Sequence, residues 1–121
     1  FGLVGHLLEM MRSSQVDVAL DLNQLPILQG AKETVQQGIL SSLHPQNAKA
    51  DRFIADRETV RHHPCYPLLF DPQTSGCLLA AVPSDQAEAC IAALQAKGYT
   101  QSCVVGEVLC CSESPLIRIK I

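Results

Sequence analysis

The sequence predicts a single α/β domain, and three patterns along its 121 residues support this. Apolar residues alternate with polar or small ones over residues 16–20 and again over 117–121, which is typical of β-strands. Between these segments, apolar residues over 87–94 follow the spacing of an amphipathic helix. Strands and helices that alternate in a chain long enough for one hydrophobic core predict an α/β fold.

The first helix is predicted from Gly2 to Ser13, where apolar side chains recur every three or four residues. This segment is apolar around much of its circumference, and such a helix needs cover on more than one side. We therefore expect a neighbouring domain or a partner subunit against it. The strand at Val16–Asp21 follows. Its alternation predicts that one face is buried and the other is exposed.

The middle of the chain carries weaker patterns. A second helix is predicted to start at Asn23 and Pro26, because these residues favour helix starts, and to end near Gly38. From Ile39 to Pro67 we expect mostly loop, with a short helix near Asp56–Arg61. A loop of this length in a small domain is more often functional or mobile than decorative.

The second half of the chain predicts a strand, a helix and another strand. Leu78–Val82 is a short apolar run that we expect to be a buried strand. Ser84 is a suitable N-cap for the following helix, which Lys97 and Gly98 close. The next strand is predicted at Cys103–Leu109. Together these elements form a βαβ-like or split βαβ unit.

Composition excludes several classes of protein. Hydrophobic residues make up 47% of the chain and charged residues 17%, which argues against disorder. No apolar run reaches the roughly 18 to 20 residues of a membrane-spanning helix, and the apolar start lacks the basic region of a signal peptide. The net charge is −3 and tryptophan is absent, so neither a basic face nor a stacking platform for nucleic acid is predicted.

The cysteines predict neither a disulfide framework nor a metal site. There is no Cys-x-x-Cys pair, and free cysteine often behaves as a small buried apolar residue. Reduced thiols fit a cytoplasmic protein. His62, His63 and Cys65 are spaced too tightly for a usual zinc site. The six cysteines are Cys65, Cys77, Cys90, Cys103, Cys110 and Cys111.

The most informative segment is a polar turn with apolar residues on both sides, at residues 69–79. Pro72 fixes one backbone angle and Gly76 permits a positive one. One interpretation is a structural turn in which Asp71 accepts backbone N–H bonds. The other is a loop that presents hydroxyl and N–H groups to an anion. The polar members are Asp71, Gln73, Thr74 and Ser75, followed by Gly76.

Two further segments are candidates for a site. Gly2 and Gly5 at a helix start allow close backbone approach, and free N–H groups there attract anions, although His6 beside them fits a structural role equally well. Asn47 either lines a site or closes an Asx-turn. Phosphate-binding loops of the P-loop and dinucleotide types are absent, as is an evident nucleophile with its base.

Five motifs in this order give the chain a resemblance to a known family. They are Phe1–Leu7, Ala19–Leu22, Leu25–Leu28, Ser41–Leu43 with Asn47, and Asp71–Leu79. The chain resembles the C-terminal domain of the selenophosphate synthetases (selenide, water dikinases), which belong to the PurM-like (AIR synthetase) superfamily. The likeness runs from Phe1 to about Val108.

The resemblance implies a fold and a reaction. The fold is an α/β layer structure with a mixed β-sheet covered by helices and a partly ferredoxin-like topology, spanning residues 1–121 as one domain. The reaction converts ATP, selenide and water to selenophosphate, AMP and orthophosphate. In such a phosphoryl transfer, Mg²⁺ and positioned cations stabilise the developing negative charge.

The resemblance also implies which groups this chain does not carry. The catalytic Cys or selenocysteine, its Lys and most metal-binding carboxylates belong to an N-terminal ATP-binding domain, and a further metal-binding Asp lies just ahead of the first helix. No catalytic or metal-binding residue is therefore expected in this chain. The expected partners are that N-terminal domain, the substrates ATP and selenide, and a second subunit in a homodimer, without nucleic acid or membrane. The residues expected to face the cleft are Asp71, Gln73, Thr74, Ser75, Gly76, His6 and Asn47.

One position departs from the family pattern. Cys77 stands where the family has a second glycine, so a side chain occupies a place that otherwise allows close backbone approach. Two alternatives to an enzyme domain of this family remain open. One is another PurM-like protein, such as a thiamine-monophosphate kinase or a hydrogenase-maturation protein. The other is a domain that serves dimerisation or interaction without catalysis, which Cys77 favours.

Overall fold

A computed structural model describes residues 1–73, 76–113 and 116–121. Within these residues there are five α-helices and three β-strands, with short 3₁₀ turns at Ala48–Phe53, Tyr66–Phe70 and Ser84–Gln86. The helices are α1 (Gly2–Ser14), α2 (Ala31–Gln36), α3 (His44–Asn47), α4 (Arg57–Val60) and α5 (Ala87–Ala96). The strands are β1 (Val16–Asp21), β2 (Gly106–Cys110) and β3 (Ile117–Lys120).

The three strands form one mixed sheet in the order β2-β1-β3. The central strand β1 pairs antiparallel with β2, placing Val18 opposite Val108, and parallel with β3, placing Leu20 opposite Ile119. The expected mixed α/β architecture is therefore confirmed. The prediction that β1 is buried on one face only was wrong, because residues 17–20 are all buried. A central strand covered on both faces loses the exposure that its alternating sequence suggested.

The core lies between α1, the sheet and the turn at Tyr66–Phe70. Helix α1 contributes Val4, Leu7, Leu8 and Met11, which pack in one cluster with residues of β1 and β3 and with Leu69 and Phe70. The predicted helix at Gly2–Ser13 is thus confirmed to within one residue at its end. Much of the cover that its apolar circumference requires comes from this chain itself.

The middle of the chain is more helical than predicted. Helix α2 begins only at Ala31, after an irregular segment, although it ends close to Gly38 as predicted. The segment 39–67 was expected to be mostly loop but forms α3, α4 and two 3₁₀ turns. Only α4, inside the predicted Asp56–Arg61, was anticipated. Four- to six-residue helical turns are too short to show an apolar repeat, so the sequence pattern missed them.

The predicted strand–helix–strand unit is wrong. Leu78–Val82 does not form a strand, and Leu78 is 92% exposed. Both edges of β1 are already taken by β2 and β3, and a five-residue apolar run does not by itself distinguish a strand from an extended loop. Within the described residues, the first strand of that unit and the ferredoxin-like part of the expected topology are therefore not formed.

The remaining elements of the second half follow the sequence more closely. The predicted inner face of α5 is half-buried while its other residues are exposed, and the helix ends before Lys97 and Gly98. Strand β2 starts at Gly106 rather than Cys103. A Cβ at Gly106 would collide with the carbonyl oxygen of Ala19, so this glycine allows β1 and β2 to approach. The last predicted strand is confirmed as β3.

Candidate functional site

The start of α1 packs directly against the turn that precedes the polar segment. Gly2 has a positive φ of 68°, and a Cβ built there would lie 2.8 Å from the carbonyl carbon of Phe70 and 2.9 Å from the carbonyl oxygen of Leu69. Only glycine fits such an approach of helix to backbone. Two segments that the sequence analysis singled out separately, the Gly2 helix start and the chain entering Asp71, are therefore neighbours.

Helix α3 holds the same turn from another side. The Asn47 side-chain N–H donates to the carbonyl oxygen of Phe70 at 3.0 Å. One turn earlier, His44 Nε2 lies 2.9 Å from the carbonyl oxygen of Pro67, and its ring meets the Phe70 ring edge-on. Asn47 was predicted to line the site. Its amide fixes the backbone immediately before Asp71, which is a positioning contact, and its place at the cleft stays a prediction.

The polar segment itself follows this anchored turn. Asp71 is half-buried and its N–H donates to the carbonyl oxygen of Leu68, whereas Gln73 and Gly76 are exposed. A Cβ built on Gly76 would lie 3.0 Å from Gln73 Oε1, so the Gln73 side chain folds over the glycine. Thr74 and Ser75, also predicted for this site, lie outside the described residues.

His6 is exposed on α1. Its Nδ1 lies 3.5 Å from Glu9 Oε2, and its ring meets the Phe1 ring edge-on at 5.8 Å between centroids. Both contacts are to residues of the same helix or its first residue. The geometry therefore links Gly2, Asn47 and Asp71 through the Tyr66–Phe70 turn, while His6 stands one helical turn further along without sharing those contacts.

The described residues of the site offer few ligands for Mg²⁺. Magnesium requires an octahedral set of oxygen ligands, usually with carboxylates and waters. Asp71 is the one carboxylate of the predicted set, and no group of three His, Cys, Asp or Glu side chains capable of holding a metal occurs in the described parts of the chain. What this arrangement offers is a half-buried carboxylate, an exposed amide and backbone groups on a turn that α1 and α3 hold in place.

Some residues with distinctive environments were missed by the sequence analysis. Asp17 is buried in β1 and accepts the N–H groups of Ser112 and Leu116 at 3.3 and 3.1 Å. These bonds, led by that from Leu116, hold its pKa below the ordinary value. The sequence signal that could have identified Asp17 was a carboxylate inside an otherwise apolar strand pattern.

A second unpredicted group lies around Tyr66, at the start of the anchored turn. Arg57 in α4, Arg61 directly after this helix and the nearby carboxylates of Asp51 and Glu58 surround a cavity of about 200 Å³ together with this tyrosine. The spacing of Arg57, Glu58 and Arg61 over one helical turn was visible in the sequence. Their proximity to Tyr66 arises only from the fold.

All six cysteines are free thiols. Cys65 is buried, Cys90 and Cys103 are half-buried, and Cys77, Cys110 and Cys111 are exposed. The exposure of Cys77 differs from the burial that is common for free cysteine, because Leu78–Val82 forms no strand that would carry this residue into the sheet. Its thiol stands one residue after Gly76.

The fold and this site define a class of protein, and comparison with known families agrees. Residues 1–113 match the family described as AIR synthase related protein, C-terminal domain. The chain belongs to this family. The match includes α1, the sheet strands β1 and β2, and the polar segment after Phe70.

Three relatives show more specifically which proteins the chain is similar to. The chain is 39% identical over 113 residues to the selenide, water dikinase of Nitratidesulfovibrio vulgaris, covering 90% of this chain and 31% of the relative. It is 38% identical over 119 residues to that of Pelobacter propionicus, covering 98% and 33%. The selenide, water dikinase of Clostridioides difficile is 32% identical over 113 residues, covering 90% and 31%.

The chain spans about a third of the length of the curated relatives it matches. The shared third contains the site described above. Among the described residues, none of the helices is long and apolar enough to cross a membrane.

Proposed function

We propose that this chain is the C-terminal domain of a selenide, water dikinase, which makes selenophosphate from ATP, selenide and water. The observation that carries the proposal is identity of 32–39% to enzymes of that name over about 90% or more of the chain. The relatives are about three times longer, so the activity belongs to a protein in which this domain works with an N-terminal ATP-binding domain. The 121 residues alone are expected to be inactive.

The role proposed for this domain is to close the nucleotide site from one side. The start of α1 and the segment 71–76 are assigned to the cleft, and the proposed cleft-side residues are Asp71, Gln73, Thr74, Ser75, Gly76, His6 and Asn47. The support for this is the tight packing of Gly2 on Phe70, which holds the two segments together. Positioning of substrate is a large part of catalysis in phosphoryl transfer, since the reacting groups must be aligned.

ATP and Mg²⁺ are the proposed cofactors of the whole enzyme. The ion is assigned mainly to carboxylates of the N-terminal domain, because the family resemblance places most of the metal ligands there. This chain would contribute hydrogen bonds to the bound nucleotide. The N-terminal domain and a second copy in a homodimer are the proposed protein partners, and the cytoplasm is the proposed location.

The test is selenide-dependent AMP formation from ATP by the full-length protein. Thr74→Ala is expected to lower kcat/KM by roughly tenfold or more, since a lost hydrogen bond to a charged phosphate has about this effect, and to leave the urea midpoint nearly unchanged. Thr100→Ala, in the exposed turn after α5, is the matched control and should retain activity. Equal losses of activity and stability in Thr74→Ala would return the segment to a structural turn.

A second candidate function is a non-catalytic interaction domain, and the exposed Cys77 is the observation that favours it. A full-length protein that forms no AMP, with or without Cys77→Gly, would support this candidate. Activity in the native protein excludes it. Formation of AMP by the 121-residue chain alone would contradict the division of labour between the two domains.

A further inference from the structure

A small cavity lies on the side of the Tyr66–Phe70 turn formed by the 48–53 turn and α4. Its volume is about 200 Å³, and its lining consists of Asp51, Arg57, Glu58, Arg61 and Tyr66. This volume exceeds the roughly 30 Å³ of one water molecule and falls below the roughly 300 to 1,000 Å³ of pockets for drug-sized ligands. A cavity of this size suits one small polar ion or molecule.

Tyr66 contributes a buried hydroxyl group to this cavity. The residue is 7% exposed, and its Oη is buried with no hydrogen-bond partner among the described residues. Burial raises the pKa of Tyr66, and the charges that further affect this pKa are those of the four charged lining residues. A buried hydroxyl without a partner is costly, and native proteins usually give it one.

The two arginines are bridged by a carboxylate of the chain itself. Glu58 Oε2 lies 2.8 Å from Arg61 NH1, and Glu58 Oε1 lies 3.5 Å from Arg57 Nε. The hydrogen bond from Arg61 holds the pKa of Glu58 below its ordinary value, so this group is ionised at neutral pH. Its side chain is nevertheless 70% exposed, so it is free to swing into solvent. Glu58 thus occupies the position of an anion without being fixed there.

We infer that this cavity binds a small oxyanion of the phosphate class, which displaces the Glu58 carboxylate from Arg57 and Arg61 and accepts the Tyr66 hydroxyl hydrogen. A phosphate has oxygens for both guanidinium groups and the hydroxyl together, whereas the carboxylate has two oxygens and leaves the hydroxyl unpaired. With Glu58 turned outward, Arg57, Arg61 and Asp51 leave a net charge of +1, which favours an anion. This site is separate from the segment 71–76 and does not depend on the proposed function.

The test is titration of the purified protein with inorganic phosphate, followed by amide NMR shifts at constant ionic strength set with NaCl. Shifts should saturate and concentrate on residues 51–66. Arg61→Gln should weaken phosphate binding roughly tenfold, and Tyr66→Phe several-fold, because each removes one partner of the anion. Lys32→Gln, an equal loss of charge in exposed α2, is the matched control and should bind like the native protein.

Glu58→Gln provides the decisive arm, because removal of an internal competitor should tighten phosphate binding several-fold. Glu33→Gln in exposed α2 makes the same charge change and should leave phosphate binding unchanged. Titration with AMP separates a free ion from a nucleotide phosphate, and tighter binding of AMP would assign the site to the nucleotide. If Glu58→Gln and Glu33→Gln both bind phosphate more tightly to the same degree, the change in net charge alone explains the tighter binding, and the inference is overturned. The inference would also be wrong if the NMR shifts never saturate, or if they saturate at the same phosphate concentration in Arg61→Gln as in the native protein.

The Tyr66 hydroxyl can be tested in a variant that should not be destabilised. Tyr66→Phe removes a hydroxyl that has no partner among the described residues, so in NaCl it should unfold at the same urea concentration as the native protein or a higher one. Phosphate should then raise the urea midpoint of the native protein more than that of Tyr66→Phe. Equal shifts in the two proteins would contradict the role assigned to the hydroxyl.

Discussion

Asp17 is the clearest case in which a single residue organises its surroundings. Its carboxylate is buried in the central strand and accepts N–H groups from both ends of the segment that joins β2 to β3. A buried carboxylate is stable only when such donors satisfy its oxygens. The residue therefore fixes the connection between the two outer strands on either side of β1, and it is a structural rather than a catalytic carboxylate.

The lowered pKa of Asp17 predicts an acid-sensitive contribution to stability. Because the folded state binds this proton more weakly than the unfolded state, the contribution is fully present above the unfolded value near 3.8 and is lost as pH falls through the lower folded value. Asp17→Asn should lower the urea midpoint at pH 7, and the difference from the native protein should shrink towards pH 2. Urea unfolding between pH 2 and pH 7 measures this.

Asp85→Asn supplies the control for that experiment, since Asp85 is exposed in the turn before α5. It should leave the urea midpoint within error of the native protein at neutral pH. A difference between Asp17→Asn and the native protein that is the same at every pH would show that the pKa shift does not contribute to stability.

At the scale of elements, the Tyr66–Phe70 turn connects most of the features described above. It is packed by α1 through Gly2, held by α3 through Asn47 and His44, and followed directly by Asp71. Its first residue, Tyr66, also lines the charged cavity. A short 3₁₀ turn thus sets the position of the candidate site because two separate parts of the chain, α1 and α3, contact its backbone.

Removal of the Asn47 contact should disturb this positioning. Asn47→Ala deletes the hydrogen bond to the Phe70 carbonyl, and a typical intramolecular hydrogen bond is worth about 1 kcal/mol of unfolding free energy. In the full-length protein we expect KM for ATP to rise several-fold as well, because Asp71 follows directly. Gln46→Ala, exposed in the same helix, should change neither quantity. If KM for ATP is unchanged, Asn47 contributes to the stability of the fold and not to the positioning of the site.

At the scale of the whole molecule, apolar surface is distributed unexpectedly. Helix α1 was expected to need outside cover, yet most of its large apolar residues are buried within this chain, and Phe1 and Met10 are those most exposed. Exposed apolar side chains occur along the chain, up to 92% exposure at Leu78, and one group lies between residues 28 and 43, where Leu28 is 84% and Ile39 60% exposed. We propose this segment, in addition to the start of α1, as a second contact with the proposed N-terminal domain.

That assignment can be tested with Leu28→Ser. In the 121-residue chain the side chain is already in solvent, so the urea midpoint should change little. In the full-length protein, burial of this leucine by the other domain is worth about 1.5–3 kcal/mol, and its loss should lower the unfolding midpoint of that protein. Ala93→Ser on the exposed side of α5 is the control. No difference between the two contexts would place the domain contact elsewhere.

The α/β class, α1, β1, β3 and the place of α5 could be predicted from the sequence, because these segments are long or regular enough for their periodicity to appear. The sequence motifs also pointed to the family, which the match over residues 1–113 confirms. The sequence singled out Gly2 and Asp71 as well, and their proposed role at a nucleotide site stays a prediction.

The tertiary structure alone decided which segments pair and which side chains meet. Burial of both faces of β1, exposure of Leu78–Val82 and the antiparallel pairing of β2 depend on contacts between residues far apart in the chain. The same holds for Asn47 with Phe70 and for Tyr66 with the arginines of α4. Local spacing carries information about repeats along one element, whereas these contacts arise only when separate elements pack together.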